Sequence, residues 1–205
     1  RSVGIRQLFS LVSPGRDLRR LGPRHKILDV LGGDGVLARG MEQMVPESSL
    51  PSIVRRDLRG EMVAAARAYG LFAIQQPAQK LLLRDDSIDG VIIAYGTHHI
   101  PSNQRLQACR EAFRVLKPGG SIALHDFEED SPMSRWFNEV VDAYSQTGHL
   151  FPHITKEEVE GYLLEAGFDD VRVEYLYDPF VITDVNPERA RRQLSKYLLH
   201  MYGLV

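Results

Sequence analysis

The sequence predicts an α/β fold in which a mostly parallel sheet of seven strands carries helices on both faces. Short apolar runs alternate along the chain with longer segments of helical periodicity, as in βαβ units. Residues 27–31 form the first run, which passes through a glycine turn into a helix. Residues 89–95, the fourth run, are apolar nearly throughout. A strand of this composition is expected to be buried on both faces, as parallel strands usually are.

Composition limits the class of protein. A chain of 205 residues with 43% hydrophobic and 25% charged residues fits one globular domain with a sizeable core. The net charge of −2 argues against a nucleic acid partner, and no apolar run approaches the ~20 residues of a membrane span. The single Cys109 excludes an intramolecular disulfide and a cysteine-based metal cluster. We expect a cytoplasmic enzyme without a membrane partner, and a homodimer is left open.

An amphipathic segment opens the chain. Residues 4–21 are predicted to be helical, with a break at Pro14. The apolar positions form one stripe: Ile5, Leu8, Phe9 and Val12. We therefore expect residues 1–25 to be an N-terminal helical cap on the core.

The first strand and its turn carry the strongest signal. Asp29 lies inside an apolar run, where a carboxylate needs a specific reason. Gly32, Gly33 and Gly35 follow it, and glycines free backbone N–H groups to approach a ligand closely. Their spacing is not the G-x-G-x-x-G of dinucleotide-binding proteins, which disfavours a nicotinamide-dependent oxidoreductase.

A second acid follows at the distance of one βαβ unit. Residues 52–58 are predicted to be the second strand, which ends in Asp57, 28 residues after Asp29. An acid at this strand tip can accept both hydroxyls of a ribose, although it can also cap the following helix. Residues 72–76 are predicted to be the third strand.

The second half of the chain continues the alternation. Its predicted elements are a helix over 105–115, a tight turn at 116–120, a strand over 121–126, a helix over 131–144, a helix capped by Thr155, strands over 171–175 and 180–183, and a last helix after Asn186. We accordingly divide the rest of the chain into an α/β domain over 26–184 and a C-terminal helix over 185–205.

Three segments in order carry a family resemblance. Residues 29–35, DVLGGDG, resemble the sequence D-x-G-x-G-x-G, which is motif I of a known enzyme family, with Leu31 in place of the first glycine. Residues 95–101 and 116–120, YGTHHIP and LKPGG, resemble the x-x-L-H-H-x-P and x-L-K-P-G-G segments. This family is the class I, Rossmann-like S-adenosylmethionine (SAM)-dependent methyltransferases of the small-molecule type.

The resemblance implies SAM as cofactor and S-adenosylhomocysteine (SAH) as product. In the family's terms Asp57 binds the ribose and Met62 packs on the adenine. The usual adenine-binding Asp is absent, and Gln76 or Gln79 offers an amide in its place. The complete predicted cofactor set is Asp29, Leu31, Gly32, Gly33, Gly35, Asp57, Leu58, Met62, Gln76, Ala78, Tyr95 and Gly96.

Catalytic candidates lie after the fourth and fifth strands. His98, His99 and His125, together with Tyr95, are predicted to stand at the carboxyl edge of the sheet, where an imidazole can take a proton near neutral pH. Each histidine also has a purely structural interpretation. We predict no metal, although His149 and His153 keep a metal-assisted transferase open. The aromatic residues Trp136, Tyr144 and Phe151 are interpreted either as core or as the wall of an acceptor pocket.

Two functions follow from these residues. The first is methyl transfer from SAM to O, N or C of a small organic acceptor, for example in natural-product or secondary metabolism. The alternative is a protein that keeps the fold without the transfer, either a cyclase or dehydratase that uses the histidines or a non-catalytic partner. Leu31 and the missing adenine-binding Asp are the observations that keep the alternative open.

Overall fold

The computed structural model describes residues 2–146 and 148–204, and in it five parallel strands form one sheet. The strands are β1 (Lys26–Asp29), β2 (Ser52–Asp57), β3 (Ala73–Gln75), β4 (Ile88–Ile93) and β5 (Leu116–Leu124). Their order is β3-β2-β1-β4-β5, so the connections run outward in opposite directions from β1 and β4. A crevice for a ligand is expected at such a reversal, beyond the carboxyl ends of the two central strands.

Eight α-helices surround the sheet in the described part of the chain. They are α1 (Ser2–Leu11), α2 (Val36–Glu42), α3 (Gly60–Ala68), α4 (Ser102–Val115), α5 (Pro132–Trp136), α6 (Asp142–Tyr144), α7 (Lys156–Ala166) and α8 (Pro187–Tyr202). One π-helical turn, Phe137–Val141, joins α5 to α6. The predicted helix over 131–144 is thus one helical segment with a local widening.

Alternate side chains of the strands build a core on each face of the sheet. On one face the β1 and β4 side chains pack with α4, through Leu28, Val30, Val91, Ile93, Ala108, Ala112 and Val115. On the other they pack with α1 and α2, through Ile27, Ile92, Ile5, Leu8, Phe9, Leu37 and Met41. Both faces are covered because the apolar side chains of the central strands are divided between them, Leu28, Val91 and Ile93 on one face and Ile27 and Ile92 on the other.

The N-terminal segment is shorter as a helix than its periodicity predicts. The α-helix ends at Leu11, and two 3₁₀ turns follow, Pro14–Arg16 and Leu18–Arg20. Asp17 begins the second turn, where its side chain accepts a hydrogen bond from the backbone N–H of Arg19. Because α1 supplies buried residues to one of the two cores, it is a layer of the fold. The division of the chain at 25 and 184 stays a prediction.

The predicted sixth and seventh strands are not strands. No ladder of backbone hydrogen bonds involves residues 171–175 or 180–183 within the described ranges. The side chain of Val171 does pack against the same buried cluster, Cys109, Leu163 and Ala166, as Ile122 and Leu124 of β5. The alternation at 171–175 therefore reflects side-chain packing beside the sheet edge without backbone pairing. The sheet has five strands, and the predicted parallel α/β architecture is otherwise confirmed.

The LKPGG segment lies within β5 and not before it. Leu116 pairs with Ile88 and Ser121 pairs with Gly90, so four residues of β5 loop out between the two pairs. Gly119 has φ +79°, and a Cβ on Gly120 would lie 2.9 Å from the carbonyl oxygen of Lys117. The two glycines are thus required by the irregularity of the strand.

The helix caps agree with the sequence pattern. Thr155 and Glu158 form a capping box at the start of α7, and Asn186 caps α8 by accepting from the backbone N–H of Arg189. In the described portion of the chain, every helix is too short or too polar to cross a bilayer.

Candidate functional site

The glycine turn after β1 is held by backbone hydrogen bonds. Gly32 N–H donates to the Arg56 carbonyl at 2.8 Å, and Gly35 N–H donates to the Gly32 carbonyl at 2.8 Å. Gly33 and Gly35 have φ of +50° and +91°, in the left-handed region that favours glycine. A Cβ on Gly35 would also lie 2.3 Å from Leu71 Cδ1. Glycine is required at 35 for two independent reasons.

Asp57, at the end of β2, ties this turn to its own strand. Its Oδ2 accepts from the Gly33 N–H at 3.0 Å, and its Oδ1 accepts from the Arg59 N–H at 2.8 Å. Each carboxylate oxygen has a second lone pair, so the side chain can still accept from a ligand. The structure therefore brings Asp57 and the glycine turn together, as the βαβ spacing indicates.

Asp29 is the unusual group on this side of the sheet. It is fully buried, and neither carboxylate oxygen has a hydrogen-bond partner among the described residues. Desolvation raises the pKa of Asp29 to about 7, against the opposing attraction of the Arg55 guanidinium. Its Oδ2 lies 3.3 Å from where a Cβ on Gly32 would stand. A buried, unpaired carboxylate behind the glycine turn is suited to a ligand that carries positive charge.

Leu31 fills space between the turn and the end of β4. Its Cδ1 lies 3.7 Å from the position that a Cβ on Gly96 would occupy, and His99 Cδ2 lies 3.3 Å from the same position. The glycine at 96 thus lets the β1 turn, the end of β4 and an imidazole come close together. The residue at 31 narrows the crevice that a glycine there would leave open.

The two glutamine amides proposed for adenine are already bonded within the protein. The buried Gln76 accepts from the Arg56 guanidinium through Oε1 and donates to the Lys80 carbonyl through Nε2. Gln79 donates to the side chain of Gln104. Among the other predicted cofactor residues, Ala78 is buried in the core, Met62 is half-buried and Leu58 is largely exposed.

Tyr95 ends β4 in a strained conformation. Its φ is +59°, which is rare for a bulky aromatic residue. The hydroxyl donates to Asp178 Oδ2 at 3.0 Å, and the ring packs edge-on against His125 with centroids 4.9 Å apart. The positive φ directs this side chain along the carboxyl edge of the sheet towards the end of β5.

Beside Tyr95 lies a group that we call the imidazole cluster: His98, His99, His149, His153 and Asp126. The His98 ring Nδ1–H donates to Asp126 Oδ1 at 2.7 Å, and the His98 backbone N–H also donates to this carboxylate. The His98 Nε2 lies 3.1 Å from the Nε2 of His149. The cluster therefore joins the ends of β4 and β5 to the loop before α7.

Charge in the cluster follows from its hydrogen bonds. Burial acts to raise the pKa of Asp126, but the His98 ring and the backbone N–H groups of Phe127 and His98 hold it below its usual value. Desolvation by burial lowers the pKa of His99 to about 3 and that of His149 to about 4. These two rings are neutral at physiological pH and present nitrogen lone pairs.

Arg105 positions the loop that carries two of these histidines. The guanidinium is buried and donates to the carbonyls of Ile100, His98, Pro152 and His153, at 3.1, 3.4, 2.6 and 3.4 Å. The sequence analysis placed this residue only at the start of a helix. A charged residue on the buried face of α4 is the signal that identifies it.

A cavity of about 490 Å³ opens beside the carboxyl end of β5. His125, Asp126 and Phe127 border it on one side, and Tyr177 and Asp178 on another. Its size suits a small organic molecule. His125 thereby belongs both to this cavity and to the contact with Tyr95.

The three aromatic residues proposed for a pocket wall have different positions. Trp136 packs on Tyr202 with ring centroids 4.8 Å apart, and Tyr144 is 57% exposed. Phe151 alone of the three contacts the imidazole cluster, edge-on to His99 at 4.5 Å. Phe137, which the sequence analysis did not propose as a site residue, lies 4.5 Å from His149.

Comparison with known proteins finds methyltransferases that are similar to this chain. The family described as "Methyltransferase domain" matches residues 28–124, from β1 to the end of β5. The ubiquinone/menaquinone biosynthesis C-methyltransferase UbiE of Proteus mirabilis is 27% identical over 176 residues, which cover 71% of this chain and 67% of that protein. The chain thus spans about two thirds of the length of its curated relatives.

Solved structures share the fold. A SAM-dependent methyltransferase from Thermotoga maritima has a TM-score of 0.61 at 20% identity, over 82% of this chain and 72% of that one. The [4+2]-cyclase SpnF has a TM-score of 0.53 at 22% identity, over 72% of this chain and 52% of that one. With the motif I turn and the acid of β2 in place, the chain is similar in sequence to methyltransferases and in fold to class I, Rossmann-like SAM-dependent methyltransferases.

Proposed function

We propose that this protein transfers a methyl group from SAM to an O, N or C atom of a small organic acceptor. The observation that carries the proposal is the meeting of two elements at Gly96. The side chain of Leu31, in the glycine turn, and the ring of His99 both lie within 3.7 Å of the position of a Cβ there. A nucleoside crevice and a set of proton acceptors thus share one edge of the sheet.

The residues of the first half fit the cofactor. SAM supplies an electrophilic methyl group on a sulfonium cation. The turn at Gly32, Gly33 and Gly35 would lie against it, Asp57 would accept from the ribose, and the unpaired carboxylate of Asp29 would stabilise positive charge. Because the amides of Gln76 and Gln79 are already hydrogen-bonded within the protein, the adenine would be recognised by apolar contact. Met62, near the start of α3, is placed to make that contact.

The second half would position and deprotonate the acceptor. Methyl transfer is an in-line displacement, so alignment and removal of a proton are what the protein must supply. His99 is neutral and exposed, and His125 borders the 490 Å³ cavity, so these two are the preferred proton acceptors. His98 is held by Asp126 and His149, which makes it a positioning residue.

The names of the curated relatives favour a carbon atom as the acceptor among O, N and C. They are named as C-methyltransferases of ubiquinone and menaquinone biosynthesis. An electron-rich aromatic carbon beside a hydroxyl would need the same base that we assign to His99 or His125. The small-molecule class, the cytoplasmic location and a role in secondary metabolism stay predictions.

A second function, in which the acceptor rearranges without receiving methyl, is favoured by one observation. Leu31 occupies crevice space at the position where the family usually has glycine. The structural similarity to the [4+2]-cyclase SpnF shows that this fold also occurs in a cyclase. In such a protein the histidines would act as acid and base on a bound acceptor.

Product analysis separates the two functions. The protein is incubated with methyl-labelled SAM and a panel of phenols, quinols and amines, and both SAH and labelled acceptor are quantified. Methyl transfer predicts equal amounts of SAH and methylated product. Consumption of an acceptor with no SAH would support the cyclase function, and titration calorimetry showing no heat with SAM or SAH at millimolar concentration would contradict the proposed cofactor.

A further inference from the structure

The imidazole cluster contains three ring nitrogens that converge on one point. A nitrogen from each of His98, His99 and His149 lies within 4.8 Å of the corresponding nitrogens of the other two. The three residues come from a 3₁₀ turn after β4 and from a loop about fifty positions later in the chain. Convergence of imidazoles from separate segments is the arrangement by which proteins hold first-row transition metals.

The tautomer of His98 directs a lone pair at this point. A carboxylate can only accept hydrogen bonds, so the 2.7 Å contact with Asp126 places the ring proton of His98 on Nδ1. Its Nε2 then carries a lone pair and accepts from the Nε2–H of His149 at 3.1 Å, and a cation bound between the two rings would take the place of this proton. A carboxylate behind the far nitrogen of a histidine is the usual support of a metal ligand, because it fixes the orientation and tautomer of the ring.

The spacing of the two facing nitrogens is that of a metal site. Two ligands about 2.0–2.1 Å from a tetrahedral Zn²⁺ are about 3.3 Å apart, close to the 3.1 Å separation of the His98 and His149 nitrogens. His99 is the exposed member of the three. A cation held by these rings would keep a fourth, solvent-facing position, as catalytic three-histidine sites do.

The hydrogen bonds within the protein leave this region incompletely paired. His149 is 9% exposed and His153 3% exposed, and His149 Nδ1 and both ring nitrogens of His153 lack hydrogen-bond partners in the described chain. Buried polar atoms without partners are uncommon in folded proteins and point to a missing ligand or function.

We propose that His98, His99 and His149 bind a divalent first-row cation, with Zn²⁺ as the reference ion and Asp126 as the support of His98. His153 lies near Asp126 and could form a different set with His98 and that carboxylate. That set would have to break the His98–Asp126 hydrogen bond, which favours the three-histidine set. With His99 bound to metal, His125 is the ring left to take a proton from the acceptor.

Metal content and affinity test the site directly. Tag-free protein is stripped with a chelator, reloaded and analysed for zinc, and the Zn²⁺ affinity is measured by competition with a chromogenic chelator. One Zn²⁺ per chain is expected. Addition of Co²⁺ should give the visible absorption bands of a four-coordinate, nitrogen-rich site. No stoichiometric Zn²⁺ and no such bands would overturn the proposal.

Matched variants identify the ligands. His149→Gln should weaken Zn²⁺ binding by more than the about 10–100-fold expected for Asp126→Asn, which removes only the support of a ligand. His153→Gln and the exposed His200→Gln should bind like the original protein, and thermal unfolding verifies that each variant is folded. Loss of binding in His153→Gln with normal binding in His149→Gln would overturn the ligand set. These readouts need neither SAM nor an acceptor, so they are independent of methyl transfer.

Discussion

The two halves of the candidate site hold their acids in opposite ways. Asp29, behind the glycine turn, has no hydrogen-bond partner, and its pKa is raised to about 7. Asp126, in the imidazole cluster, accepts from the His98 ring and from two backbone N–H groups, and its pKa is lowered. Both side chains are buried. The difference teaches that the number of hydrogen-bond donors, and not burial, decides the charge of a buried acid here.

The two halves also differ in how far along the chain their contacts reach. The glycine-turn half closes within one βαβ unit, since Asp57 reaches Gly33 only 24 positions back. The cluster half depends on contacts such as that between His98 and His149, which lie 51 positions apart. The first half is therefore a local motif, and the second is a product of the tertiary fold.

The largest expected effect tests whether the histidine-rich half of the site supplies the catalytic base. Replacement of the catalytic base by Ala, tested as His99→Ala and His125→Ala, should lower turnover ~10²–10⁴-fold in one of the two variants. SAM affinity should stay within a few-fold, because the base meets the acceptor and not the nucleoside. Turnover is followed by SAH release and affinity by calorimetry. His200→Ala, on the exposed face of α8, is the control. Wild-type turnover in both His99→Ala and His125→Ala would contradict a histidine base.

Asp29→Asn tests the unpaired acid of the other half. Because the native pKa of Asp29 is raised, folding is favoured by protonation, and that stability is lost as pH rises from about 4 through about 7. Removing the charge should therefore raise the free energy of unfolding at pH 8 by about 2–4 kcal/mol, with little effect at pH 4. Urea unfolding at both pH values measures this. An equal change at pH 4 and pH 8 would show that the carboxylate carries no such pKa shift.

Asp57→Ala tests the cofactor role of the local motif. Loss of hydrogen bonds to a charged group should cost about 1.5–3 kcal/mol of SAM binding, which is roughly a ten- to hundredfold weakening. Because Asp57 also accepts from the Gly33 and Arg59 backbone N–H groups, urea unfolding accompanies the calorimetry. Asp57→Asn, which keeps one acceptor, should weaken binding less. Unchanged affinity in a folded Asp57→Ala variant would mean that the acid serves only the turn.

The smallest expected effect concerns the contact that holds Tyr95. Asp178 accepts from the Tyr95 hydroxyl and from the Gly4 backbone N–H, and thus joins β4 to α1. Tyr95→Phe should lower the free energy of unfolding by about 1 kcal/mol, a typical value for one hydrogen bond. A double-mutant cycle with Asp178→Ala separates the coupling energy between Tyr95 and Asp178 from the loss of the hydrogen bond that Asp178 accepts from the Gly4 N–H. A coupling energy of zero would show that contacts other than the one with Asp178 stabilise the strained backbone conformation of Tyr95.

How much the sequence could predict follows the same division. The glycine turn, Asp57 and the parallel order of the central strands were predictable, because motif spacing and periodicity are local properties. Arg105 was not proposed as a site residue, and the histidines at 149 and 153 were left as an open alternative. Their roles depend on a loop that folds back over β4 and β5, and no spacing rule relates residue 98 to residue 149.

The two strands that do not form show the limit on the fold itself. Residues 171–174 alternate between half-buried and exposed as an edge strand would, and the sequence pattern is correct in that respect, although Tyr175 is exposed like Glu174 before it. Pairing with β5 requires backbone hydrogen bonds, and alternation of side chains does not specify them. Likewise the LKPGG segment was predicted as a turn before the fifth strand, and the finding that four of its residues loop out within β5 depends on the register with β4.

The anchoring of the loop by Arg105 has a consequence for how such a protein can change. All four of its hydrogen bonds go to backbone carbonyls, which every amino acid possesses. The loop can therefore accept new side chains, at the exposed Leu150 or at Phe151, without losing its attachment to α4. If the loop contacts the proposed acceptor, substitutions on it would change the acceptor preference while the Arg105 guanidinium keeps the loop backbone in place.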